Sequence, residues 1–407
     1  MEPVRSEDKK SIEKRYDRAL AQSSIRQGKM EYKRLLSRIV DLDPGNQMAM
    51  NVCFACIFAA AWPGSDKNDD KDLAEGGRHH GCGCAVFLGG RFCDNKINMN
   101  IIKVKFREGL IMEFSDELNE FRQTHLFSKI TVDGVTTSYL LGGNPNSKLT
   151  LVYLVGGTGF SVVWFKHIEM TEQEYRVLTF DYPMGIEKME PLADYVMKLL
   201  AQLDIQNPVF IGASLGGMLA QVIGRKYADR TSGVCLYSTC SLSETSMKGL
   251  KKQYRSYGII LPLMKIVPYS WINKMVINVS KKQIGMQEGT EEEKAWITEF
   301  FTWVYQNYTK EFDIHMTSLM VDVAKLTPIT KEAYAQFDDR SLLVLPLSDK
   351  AFPPEAQQDL LDMMPRAAVQ RLEGGHIATL NKVDNYVNST KVFLRKLKEK
   401  EGWQDDN

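Results

Sequence analysis

Ser214 lies in the run Gly212-Ala213-Ser214-Leu215-Gly216, between an apolar segment that reads as a strand and an amphipathic segment that reads as a helix. A serine raised on a sharp strand-to-helix turn can present its hydroxyl to a substrate. It can do so only if the residues two positions either side are small, because a β-carbon there would meet the turn. Gly212 and Gly216 satisfy that demand. Upstream, Pro208-Val209-Phe210-Ile211 has the composition of a buried strand. Downstream, Leu215, Met218, Leu219, Val222 and Ile223 recur at helical spacing. The pentapeptide alone is a weak signal, and a glycine-rich packing turn is its rival reading. In this strand–turn–helix setting it marks a candidate nucleophile.

A serine hydroxyl attacks a carbonyl well only when a base takes its proton and an acid orients that base. The chain has six histidines. His79 and His80 lie in a Cys-rich N-terminal stretch, His125 precedes the first strand signal, and His315 falls in a long helical insertion. His167 follows an apolar segment and is expected on a helix surface. His376, in Glu373-Gly374-Gly375-His376-Ile377, follows the strand-like Val369–Leu372, and its two glycines let a loop bring the ring close to other backbone. It is the expected base. For the acid, Leu342–Leu347 reads as a buried strand ended by Ser348-Asp349-Lys350, and a carboxylate at the carboxyl end of a parallel strand faces the same rim as Ser214. The rival readings are a solvated loop carboxylate at Asp349, or Glu244 after the strand Gly233–Ser238 as the acid. A tetrahedral intermediate also needs hydrogen-bond donors for its oxyanion. The natural ones are the backbone N–H of Leu215 and one from Gly156-Gly157-Thr158-Gly159-Phe160, which directly follows the strand Leu151–Val155.

The chain order Ser214, Asp349, His376 is that of α/β-hydrolases. From about Phe114 to Trp403 the sequence resembles the bacterial α/β-hydrolase-fold family. The resemblance implies Ser214 as nucleophile, Asp349 as orienting acid, His376 as general base, and the N–H groups of Thr158 and Leu215 as the oxyanion site. Many relatives begin the oxyanion loop with His-Gly, where this chain has Gly156-Gly157, so Gly157, Thr158 and Gly159 all stay open as the loop donor. The run Ile211–Gly217 also resembles maspardin-like members, some of which act mainly by binding partners. The expected function is a serine hydrolase of a carboxylic ester or related acyl compound, with no metal or organic cofactor. The alternatives are acyl transfer or carbon–carbon bond hydrolysis on the same three residues, and a non-catalytic binding protein of the same fold.

Composition narrows the partners. Lys plus Arg equals Asp plus Glu, 51 against 51, and no basic block alternates with aromatics, so no nucleic-acid partner is expected. The first residues, Glu2 to Lys14, are charged, unlike a secretory signal. The apolar run from Met48 to Trp62 is too short to span a bilayer. A soluble, cytoplasmic protein is the resulting expectation, and a helical cap over the site suggests a small or medium, largely apolar acyl substrate.

Along the chain, Leu126–Val132 and Val135–Leu141 alternate around Asp133-Gly134, a hairpin signal. Strand signals then recur at Leu149–Val155, Arg176–Phe180, Val209–Gly212, Val234–Ser238, Leu342–Leu347 and Val369–Leu372, with helical patterns between them. An α/β fold with a mostly parallel, doubly wound sheet follows. Asp181, just after a strand, reads as a turn cap. The long gap after the sixth core strand reads as a helical cap, with helices near Ser246–Tyr257, Pro262–Val279, Glu291–Lys310 and His315–Ala324. Its aromatic run Glu299–Tyr308 is expected to pack the cap on the core, or to line an apolar pocket. The segments are thus 1–111, an N-terminal extension; 112–240 and 331–407, the two parts of the core; and 241–330, the cap. Five of the seven cysteines fall between Cys53 and Cys93, but their spacing fits no common zinc module. Arg107-Glu108-Gly109 can be encoded by a purine-rich stretch resembling a bacterial ribosome-binding site. Translation from Met112 and coincidence are the two readings.

Overall fold

The computed structural model describes residues 114–270 and 290–403. The cysteine cluster with His79 and His80, the Met112 reading, and the end of the helix expected over Pro262–Val279 lie outside the described residues.

The described residues begin with helix α1 (Phe114–Thr124) and the hairpin β1 (Ser128–Val132) and β2 (Val135–Gly143). Strand β3 (Thr150–Leu154) leads through a 3₁₀ turn, Ser161–Trp164, into α2 (Phe165–Thr171). Next come β4 (Arg176–Phe180), α3 (Met189–Gln202), β5 (Pro208–Ala213), α4 (Leu215–Lys226) and β6 (Gly233–Tyr237). Among the described residues of the insertion are three helices, α5 (Glu244–Ile266), α6 (Glu291–Asn307) and α7 (Lys310–Val323). The short α8 (Lys331–Tyr334) returns the chain to β7 (Ser341–Pro346), followed by α9 (Pro354–Met363), β8 (Ala368–Leu372), α10 (Ala378–Asn381) and α11 (Val383–Glu401).

The eight strands form one sheet in the order β1-β2-β4-β3-β5-β6-β7-β8. The hairpin joins it antiparallel, and every pair from β4 onward is parallel. Asp133 (φ 50°) and Gly134 (φ 80°) make the hairpin turn, the backbone that Asp-Gly accommodates. Every residue of β3, β5, β6 and β7 is buried, as continuous apolar strands covered on both faces must be. The outer strand β8 is largely exposed. From β3 the chain moves to β4 on one side and then to β5 on the other. The carboxyl ends of β3 and β5 therefore meet at a switch in strand order, where open α/β sheets bind ligands. The Gly156 loop and Ser214 follow those two strands.

The helices of the cap differ in detail from the expected ones. Each begins at a side-chain cap: Ser243 accepts the N–H of Ser246, Thr309 that of Phe312, and Thr290 that of Glu293, whose carboxylate returns the bond to Thr290 N–H. Satisfying these orphan donors starts α5 before Ser246 and α7 before His315, and it separates α6 from α7 at Thr309. Helix α5 does not stop near Tyr257 but runs through Pro262, at the cost of the one bond that a proline nitrogen cannot donate. His167 is a second correction. It is 1% exposed, held inside a ring cluster of Tyr153, Trp164 and Tyr237 while α2 packs against α11. No described helix is long and apolar enough to cross a membrane.

Candidate active site

Ser214 is the residue before α4 and has φ 52° and ψ −115°, a conformation in which L-residues are strained. The surroundings hold it there. A β-carbon on Gly212 would lie 2.3 Å from the Gly216 carbonyl oxygen, and one on Gly216 would lie 2.2 Å from that of Leu154. Only glycine fits at either place. Ser214 N–H donates to the Tyr237 carbonyl at 3.0 Å, and the Thr239 hydroxyl donates to the Ser214 carbonyl at 2.9 Å. The backbone on both sides of the hydroxyl is thus tied to β6 and the loop after it. The first N–H groups of α4, beginning with Leu215, face the same end, where a helix favours negative charge.

His376 Nε2 is 3.1 Å from Ser214 Oγ, and His376 Nδ1 is 3.0 Å from Asp349 Oδ2. A carboxylate oxygen accepts, so the Nδ1 proton faces Asp349 and the Nε2 lone pair is left for the serine hydroxyl. The Asp349 side chain is fully buried. Its other oxygen accepts the N–H groups of Ala351 at 2.8 Å and Phe352 at 3.0 Å, which fixes the carboxylate plane. Phe352 also sets its ring against the imidazole, with centroids 5.3 Å apart. The two glycines before His376 do different things. Gly374 sits at φ 115° and gives its carbonyl to Ser348 N–H at 2.9 Å, and Gly375 packs directly over the Ser348 carbonyl. Together they fold the β8 loop back onto the end of β7. Glu244, the rival acid, begins α5 and pairs with Lys248 in solvent.

The glycine loop passes over the serine. A β-carbon on Gly156 would be 3.9 Å from that of Ser214. Gly159, at φ 74°, donates its N–H to the Gly156 carbonyl at 3.1 Å and so is committed to the turn, which leaves Gly157 and Thr158 as the candidate loop donors. Asp181, expected to cap its own turn, instead holds the start of another segment. One of its oxygens accepts both the N–H (2.9 Å) and the hydroxyl (2.6 Å) of Ser161, where the loop enters its 3₁₀ turn. Burial raises its carboxyl above the usual range, against the pull of those two bonds.

The cap closes over this loop. Gly159 packs against Phe312 and Met316, Gly157 faces Met320, and the Tyr308 hydroxyl reaches the carbonyls of Gly157 and Thr158. Within the aromatic run, Phe300, Val304 and Tyr308 belong to the main core, as the packing reading expects. Glu299 caps α1, accepting the N–H groups of Phe114 (2.9 Å) and Ser115 (3.1 Å) and the Ser115 hydroxyl. Sequence spacing gives no sign of Tyr308, since it meets the loop from 150 residues away.

No family model matches the sequence. Over 141 residues the chain is 33% identical to maspardin of Homo sapiens, a match covering 33% of this chain and 45% of maspardin. The chain thus spans about half the length of the curated relatives it matches. Among solved structures, a hydrolase from Pseudomonas aeruginosa superposes with a TM-score of 0.53 at 16% identity, covering 66% of this chain and 98% of that one. An α/β hydrolase enzyme from a Medee basin deep-sea metagenome library gives 0.54 at 15% identity, covering 69% and 99%. At such identities the likeness carries the fold, and the fold here is that of the α/β hydrolases.

Proposed function

We propose that the protein is a cytoplasmic serine hydrolase that cleaves a carboxylic ester or related acyl compound through an acyl-enzyme. The observation that carries this reading is the hydrogen-bonded series from Ser214 Oγ through His376 to the buried Asp349, aligned beneath a strained serine turn. In the proposed reaction His376 Nε2 takes the hydroxyl proton as Oγ bonds to the substrate carbonyl carbon, and the carbonyl π pair moves onto oxygen. The oxyanion is met by the N–H of Leu215 and one from the glycine loop. Collapse expels the alcohol, which takes the proton from His376. Water then enters by the same route and releases the acid. Asp349 keeps the imidazole in the required tautomer and stabilises it when protonated.

The test is turnover of p-nitrophenyl acetate by the wild type and by Ser214→Ala. The expected loss is roughly ten-thousandfold or more with an unchanged fold. Comparable turnover by the variant would refute the assignment. Transfer in place of hydrolysis would appear as product that depends on an added acceptor. The likeness to maspardin favours a second reading, a module of this fold that works by binding a partner, and that reading expects no turnover from the wild type.

A further inference from the structure

Building on the hydrolase reading, we propose that Tyr308, the residue that closes α6 of the cap, positions the oxyanion site by turning the Gly157–Thr158 peptide so that the Thr158 N–H faces the substrate. The Tyr308 oxygen lies 2.6 Å from the Thr158 carbonyl oxygen and 3.2 Å from that of Gly157. Two successive carbonyls therefore look at one phenol. All described peptides are trans, and in a planar trans peptide the N–H points opposite to the carbonyl. The N–H groups of Thr158 and Gly159 consequently turn away from Tyr308, to the side of the loop that the phenol does not occupy. That of Gly159 is spent on the Gly156 carbonyl at 3.1 Å. Of the two N–H groups that Tyr308 turns, that of Thr158 is left as the donor, in a loop whose Gly156 stands against Ser214.

Tyr308 is built to hold this geometry. Its ring is flanked by Phe160 (5.4 Å between centroids), Phe312 (5.2 Å) and Tyr305 (5.6 Å). Burial, with Tyr305 and Asp313 nearby, pushes its hydroxyl well above the ordinary tyrosine range, so it stays a donor. The cap thereby does more than cover the serine. It supplies the contact that aims a backbone dipole at the place where charge develops, and an oxyanion donor works best when aimed before the reaction.

Tyr308→Phe keeps the ring and removes only the oxygen. With p-nitrophenyl acetate, kcat is expected to fall roughly 10- to 100-fold while KM stays within about twofold. Amide hydrogen exchange should accelerate across residues 155–161 but not in β5. Trp303→Phe is the control: it trims a ring that touches Phe160 but reaches neither carbonyl, so it should lower Tm and leave kcat unchanged. Wild-type kcat and unaltered loop exchange in Tyr308→Phe would overturn the proposal, as would a fall in Tm alone. If the wild type cleaves no ester, the hydrolase reading fails, and the exchange comparison still decides whether the phenol holds the loop. Should Tyr308→Phe not fold, wild type carrying ¹⁵N-threonine supplies the answer. The Thr158 amide, assigned through Thr158→Ser, should move downfield when phenylboronic acid binds Ser214, and an unmoved resonance contradicts the proposal.

Discussion

At the rim where β5, β7 and β8 end, His376 has a partner for each ring nitrogen and 21% of its side chain open to solvent. In the layer where β3 and β6 meet α2, His167 is enclosed by Tyr153, Trp164 and Tyr237, and among the described residues neither of its ring nitrogens has a partner. Burial, with Lys166 adding to it, pushes the His167 imidazole down to about 3, so it stays neutral in the fold at neutral pH. The same side chain is therefore a hydrogen-bonded link between Ser214 and Asp349 in one region and an aromatic core group in the other. What separates them is access to solvent and a carboxylate aimed at Nδ1. The strands set that difference, because loops at the carboxyl ends stay open while the middle of the sheet is covered on both faces.

The contrast can be broken from either side. On the rim, Asp349→Asn keeps the shape of the side chain and its acceptor oxygen, but the amide can present an N–H to His376 Nδ1 and invert the tautomer. We expect kcat to drop roughly a thousand- to ten-thousandfold with KM little changed, measured on the same ester as the wild type. In the buried layer, His167→Leu should leave kcat unchanged and act on stability instead. Below the unfolded-state value near 6.5, the unfolded chain binds a proton that the folded His167 refuses until about pH 3. Stability contributed by the neutral ring is thus complete above about pH 6.5 and declines as pH falls, by up to about 1.4 kcal/mol per pH unit. Urea unfolding at pH 7 and pH 5 should show a shallower acid decline in His167→Leu than in the wild type. The decline should not vanish, because burial depresses His315 as well. An unchanged slope would mean that His167 is protonated in the fold or reached by water.

Much of this is legible in the sequence, and the reasons are local. Gly212 is demanded by the Gly216 carbonyl within one turn, and Asp133-Gly134 fixes its own hairpin, so short windows of sequence contain those causes; Gly216 is demanded by the Leu154 carbonyl of the neighbouring strand β3. The order of Ser214, Asp349 and His376 is readable because Ser214 and Asp349 each follow a continuous apolar strand, His376 follows the short outer strand β8, and parallel strands end at one rim. What was missed depends on distant packing. His167 follows an apolar segment on a short helix, and only the approach of α11 and the Tyr237 ring decides that it is buried. The starts of α5 and α7 lie ahead of the apolar pattern because Ser243 and Thr309 cap from outside it, and periodicity does not register a cap. Tyr308 reads as one aromatic among many until the fold sets its hydroxyl on the glycine loop.

The most direct measurement is the rate of labelling by a fluorophosphonate probe, with the adduct mapped by mass spectrometry, in the wild type and in His376→Ala. The account predicts one adduct, on Ser214, formed at least about a thousandfold more slowly without the imidazole. A folded wild type that takes no label, or a Ser214 that reacts as fast without His376, would contradict it.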